Sequence, residues 1–117
     1  MSEYKYLEGK RILIVAPAVT YTVLDVISPE PDESLWNIGG QLPVTLATFP
    51  ALAAEHRIDV MLDGQRKEIG ARSLAITVPD VFRGEHTLQA LIVDAGGAIV
   101  MRSSPVTFYV HQTSILN

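Results

Sequence analysis

The chain has 117 residues, enough for one domain, with 48% hydrophobic residues to fill a core and 19% charged residues. Its net charge of −4 and pI near 5.2 give no basic surface for phosphate, which argues against nucleic acid or an anionic membrane as partner. Cysteine is absent, which excludes disulfides, thiol catalysis and cysteine-held zinc without fixing the compartment.

At the start, Ile12, Leu13, Ile14 and Val15 form an apolar run that continues only through Ala16, Pro17, Ala18 and Val19. That is far short of the roughly 18 apolar residues a membrane-crossing helix needs. Nor does it read as a signal peptide: Glu3 and Glu8 sit among the basic residues, Pro17 interrupts the run, and no small-residue cleavage site follows. Residues 1–19 are therefore expected to be an extension, frayed over 1–9. The stretch from Arg11 to Val15 is expected to add an edge strand or to pair with a partner chain. That makes Ile12, Leu13, Ile14 and Val15 a candidate interaction edge.

From residue 20 the pattern is that of strands. Residues 22–27 are β-branched and stop at Ser28-Pro29. Turn-rich stretches follow at 30–34 and 37–40. Leu42, Val44 and Leu46 alternate on one face of a strand that starts or edges at Pro43. Residues 50–55 offer one helical turn at most, read as a loop between sheets. Ile58, Val60 and Leu62 alternate next and close on Asp63-Gly64, a hairpin signal. The polar residues 65–69 suit an edge strand. Leu74, Ile76 and Val78 mark another strand. Residues 84–97 then read as a turn, a long strand with His86, Leu88, Ala90 and Ile92 on one face, and a second turn. Residues 100–104 and 105–110 close the set, with Val106, Phe108 and Val110 inward.

About seven short strands, with turn signals every 8–12 residues, predict an all-β fold: an immunoglobulin/fibronectin-III-like β-sandwich over residues 20–112, with a tail at 113–117. No window sustains the apolar spacing of a helix, so helical and α/β folds are not expected.

Several pieces in order carry a family likeness: Leu24-Asp25-Val26-Ile27-Ser28-Pro29, Leu62-Asp63-Gly64, Arg83-Gly84-Glu85-His86-Thr87-Leu88, Val93-Asp94-Ala95-Gly96-Gly97 and Ser104-Pro105-Val106-Thr107-Phe108-Tyr109-Val110. Together they resemble the C-terminal Ig-like domain of proteobacterial envelope proteins of unknown function. A looser likeness is to the C-terminal domain of one class of bifunctional penicillin-binding proteins. The resemblance implies a periplasmic or cell-envelope module without catalytic residues. The N-terminal domain and signal peptide usual in that family are missing from this sequence, which suggests a fragment.

Most residues that stand out read as scaffold. In related sandwiches a tyrosine often stands two residues after the glycine of the turn at Gly84 and ties the strand back to the preceding corner. His86 holds that place and is expected to bond the backbone near Val81 or Phe82. Asp94 is expected to bond the turn amides of Gly96 and Gly97, and Asp63-Gly64 to form the hairpin turn. The three histidines, His56, His86 and His111, lie 30 and 25 residues apart, unlike the close spacing of metal ligands. Glu30, Asp32 and Glu33 lack the D-x-D-x-D-G pattern of a calcium loop and read as a solvated turn. No G-x-S-x-G elbow is present, and Ser103-Ser104 reads as a bulge or kink. Gly39-Gly40 and Gly96-Gly97 are turn pairs, with no lysine and helix after them to make a phosphate loop. Trp36 is read as a cap over one end of the core, against the alternative of an exposed aromatic for carbohydrate or protein.

The sequence thus predicts a non-catalytic binding or scaffold module, without metal or cofactor, that engages a protein or glycan of the cell envelope as a monomer or weak homodimer. The alternative is a small metal-binding or hydrolytic protein using His86 and His56 with nearby carboxylates.

Overall fold

A computed structural model describes residues 2–7, 12–17 and 20–113. Its strands are β1 (Ser2–Leu7), β2 (Ile12–Pro17), β3 (Val23–Ser28), β4 (Ser34–Trp36), β5 (Leu42–Phe49), β6 (Arg57–Leu62), β7 (Gln65–Ala71), β8 (Ala75–Val78), β9 (Gly84–Val93), β10 (Ile99–Arg102) and β11 (Val106–His111). Among the described residues there is no helix. The 50–55 stretch is a loop closed by a turn from the His56 amide to the Ala53 carbonyl.

Two sheets form the sandwich. A three-stranded sheet has the order β3-β5-β8. A six-stranded sheet has the order β4-β11-β9-β6-β7, with β10 also on β9. β9 is the spine of the larger sheet. Its Leu88–Val93 half pairs with β6, while its other side pairs with β10 near Val93 and with β11 from Leu88 to Gly84. β10 and β11 are thus two halves of one path, broken at Ser103–Pro105. The buried Ser103 hydroxyl spans the break, accepting from the Ala90 amide at 2.8 Å and donating to the Ser104 carbonyl.

The alternating residues supply the core. Leu42, Val44, Ile58, Val60, Val78, Leu88, Ala90, Ile92 and Phe108 are all buried between the sheets. Leu74 packs against this cluster from a partly buried position. The period-2 pattern is enough to assign these faces, because one register slip would expose every one of them. Pro43 sits inside β5 opposite Thr77 of β8, beyond Ser28↔Thr45 where the β3 pairing ends. β5 is therefore the middle strand of its sheet, and only its first turn has the character of an edge.

Three features differ from the sequence expectation. β4 is a strand where a loop was expected, pairing in parallel with β11 at the sheet's edge. Three residues carry too little alternation to show, and a parallel partner 75 residues on leaves no hairpin signal (Ser34↔Tyr109). Ser2–Leu7 is a strand that pairs with Ile12–Pro17 in a sheet of their own, while residues 1, 8 and 9 of the expected frayed start lie outside the described residues. Ile12, Leu13, Ile14 and Val15 therefore face Leu7, Tyr6, Lys5 and Tyr4 in register and add no edge strand to the sandwich, while Arg11 lies outside the described residues. A nearby strand of its own chain offers that backbone the same hydrogen bonds at little loop-closure cost. Finally, Asp59 is fully buried although it alternates with Ile58 and Val60. The β6–β7 register shifts between Ile58 and Val60, and the bulge folds β7 over the carboxylate. Gly70 (φ 65°) donates its amide to Asp59 Oδ1 at 2.9 Å, and Arg66 bonds Oδ2 at 3.1 Å.

Candidate functional site

One end of the sandwich, opposite the exposed Phe49 where β5 finishes, carries two exposed aromatics, Trp36 and Phe82. The registers bring the start of β9, the ends of β6 and β11 and the start of β7 to that end, together with the loops 37–40 and 79–83. There Asp63 and Gly64 make the β6–β7 turn with φ of 52° and 82°, values that favour a short polar residue and glycine.

His86 fastens this end. Its Nδ1 donates to Asp63 Oδ2 at 2.7 Å and its Nε2 donates to the Phe82 carbonyl. The ring also stacks on Phe108, with centroids 5.6 Å apart. Asp63 Oδ1 accepts the Thr87 amide at 2.9 Å. Partial burial alone would raise the Asp63 carboxyl. The hydrogen bonds from His86 and Thr87, with the charges of His86 and Lys67, outweigh it and hold the group below its ordinary 3.8. Gly84 sits two residues before His86 with φ 134°, a region closed to most side chains.

A cleft of about 220 Å³ opens beside this lock, lined by the loops 37–40 and 81–83 and by Val110, His111 and Gln112. The Val81 amide donates to the Gly40 carbonyl at 3.0 Å and joins the two loops. The Phe82 ring lies on Gly40, so close that a Cβ there would stand 3.0 Å from the ring. Even so, Phe82 is 63% exposed. Next to the cleft, Trp36 is 61% exposed and stacks on His111, with centroids 4.6 Å apart and planes inclined by 23°. His111 Nε2 lies 3.3 Å from Ser34 Oγ. On the same outer face Tyr109 pairs with Glu85, whose charge is the main cause raising the phenol above 10.0.

Trp36 is therefore no core cap, contrary to expectation. Leu35 is the β4 residue that packs against the core, and strand alternation turns Trp36 outward. Asp94 also differs in detail. Its Oδ1 accepts the amides of Gly96 and Ala98, while the Gly97 amide bonds the Asp94 backbone carbonyl.

The histidines do not converge. β6 pairs with β9 from Arg57↔Val93 to Leu62↔Leu88, so His56 and His86 flank opposite ends of that ladder. His56 Nδ1 meets the Tyr21 hydroxyl at 2.7 Å, and that hydroxyl accepts the Ala53 amide. A shared centre of His56 and His86 is thereby removed. Among the described residues no group of three potential metal ligands clusters, and Glu30, Asp32 and Glu33 form a turn in which the Glu30 amide donates to the Glu33 carboxylate.

No family model and no curated protein matches the chain. Among solved structures, Clostridium thermocellum CbhA fibronectin(III)-like modules are similar with a TM-score of 0.58 and 16% identity, over 79% of this chain and 100% of that one. SGBP-B of the Bacteroides ovatus mixed-linkage glucan utilization locus, solved in complex with mixed-linkage heptasaccharide, is similar with a TM-score of 0.50 and 16% identity. That match covers 77% of this chain and 24% of the other. At such identity the likeness shows the fold: an all-β sandwich of the immunoglobulin/fibronectin III-like class.

Proposed function

We propose that the chain is a non-catalytic binding module of the bacterial cell envelope. It engages its ligand, a glycan or a protein, at the loop end that carries Trp36 and Phe82. One observation carries the reading: two large aromatics lie more than half exposed beside one open cleft, while His86, Asp63 and Asp94 are spent on turns and corners. Exposed aromatic patches beside a concavity mark interaction sites, because their burial on binding releases apolar surface from water. The complex of a fold neighbour with a mixed-linkage heptasaccharide supports a glycan, and the resemblance of the ordered pieces to proteobacterial envelope domains supports the location. Fold likeness alone would not, since one fold hosts many functions.

Trp36 is the single tryptophan, so its fluorescence reports on this end alone. Titration with soluble envelope glycan and, separately, with solubilised envelope protein is expected to shift that emission in one of the two series. Saturable binding that leaves the emission unchanged would move the ligand site elsewhere. Emission unmoved in both series refutes the reading.

A further inference from the structure

We infer that the cleft end is a sugar-binding site, in which a pyranose ring lies flat on the open face of Trp36 while its hydroxyls meet Arg83 and Gln112. This rests on the reading above, that the loop end is the ligand face, and deepens it by naming the ligand chemistry.

The shape of the aromatic surface decides between ligands. Trp36 and His111 are stacked with centroids 4.6 Å apart, so nothing can insert between them. His111 backs one face of the indole, so Trp36 offers a single open stacking face, not the pair of separated ridges that grips a proline-rich peptide. A broad flat apolar face with polar groups at its rim suits a ring whose one face is C–H and whose edge is hydroxyl. The rim groups are present: Arg83 and Gln112 are exposed at the cleft wall, and His111, which backs the indole, also lines the cleft. A nucleobase would also stack on an indole, but its strand needs a basic groove, and this chain has net charge −4. Strand addition is disfavoured here because β4, the edge at this end, is three residues long and offers few backbone bonds.

The inferred site also has a built floor. The Gly40 backbone supports Phe82 from below, and His86 holds the Phe82 carbonyl from behind. Phe82 therefore stands as a fixed second wall, while Trp36 supplies the stacking face. A fixed wall loses little freedom on binding, which favours a weakly adhering ligand such as a sugar.

The test is a titration of the full chain with β-glucan and chitin oligosaccharides and, as the rival class, a proline-rich peptide. Indole emission and backbone amide NMR shifts are the readouts. An oligosaccharide is expected to saturate the emission change and to shift the amides of residues 36–40, 81–83 and 110–112. By calorimetry, Trp36→Ala is expected to weaken that binding about tenfold and Trp36→Phe by less, since the smaller ring keeps part of the stacking face. Amide spectra of both variants confirm that they fold. If no oligosaccharide perturbs these residues, the sugar assignment is wrong. If the peptide perturbs them instead, the sugar assignment falls while the loop end stands as the ligand face. Oligosaccharide shifts confined to β3, β5 and β8 would overturn both.

Discussion

At the scale of single residues, the Asp63–His86 pair shows how a corner works. The imidazole reaches a side chain in one turn and a backbone carbonyl in another, so one ring joins the β6–β7 hairpin to the entry of β9. Removing it as His86→Ala leaves the Phe82 carbonyl and the Asp63 carboxylate without their donor and uncovers Phe108. A loss of about 1–3 kcal/mol in urea unfolding is expected from the lost bonds. The pair also predicts acid sensitivity. The Asp63 carboxyl lies below 3.8 when folded, so its contribution is complete above the unfolded value and disappears as pH falls through the folded one. The stability difference between wild type and Asp63→Asn, followed by urea unfolding, should shrink from pH 5 toward pH 2. Because the Asp63 side chain is 46% exposed, solvent screening keeps the effect small.

At the scale of elements, the bulge in β7 and the buried Asp59 explain each other. A carboxylate on the outer face of β6 would normally be solvated. Here the bulge brings the Gly70 amide and Arg66 over it, so the charge is paired as it is buried. Asp59→Ala should cost about 1–3 kcal/mol and free the Gly70 amide, seen as lost hydrogen-exchange protection at that residue. Arg66 is partly exposed and can return to water, which keeps the cost below that of a fully buried pair. A second element-level prediction concerns the cleft wall. Gly40→Ala places a Cβ 3.0 Å from the Phe82 ring at a φ of 79°, so the ring must move. Displaced shifts of Phe82 and weaker ligand binding are expected, with Trp36 unmoved.

At the scale of the whole molecule, the order β4-β11-β9-β6-β7 places an early strand beside the last one. The larger sheet closes only when β11 has arrived, and β11 buries Val106, Phe108 and Val110. Phe108→Ala is therefore expected to cost about 3–5 kcal/mol, a large share of a small domain's stability, measured by thermal or urea unfolding. Such non-local pairing also predicts folding in about milliseconds to seconds by stopped-flow fluorescence.

The sequence by itself determined the all-β class, the strands with clear alternation, the inward residues and the turn at Asp63-Gly64. These are local matters: a period of two and the φ demands of a turn are written in adjacent residues. His86 was legible as a bonding ring at a corner, since the glycine two residues before it marks the turn. Only the tertiary structure decided what lies over Asp59 and beneath Trp36. Asp59 has the parity of a solvated residue, and the Gly70 bulge that buries it is a property of the partner strand. β4 exists because β11 lies alongside it, and strand alternation then turns Trp36 to the outside, against His111. The cleft end is likewise assembled from segments about 40 to 75 residues apart, such as Gly40 with Phe82 and Trp36 with His111. Burial depends on what folds over a residue, and a sequence states only which face it takes.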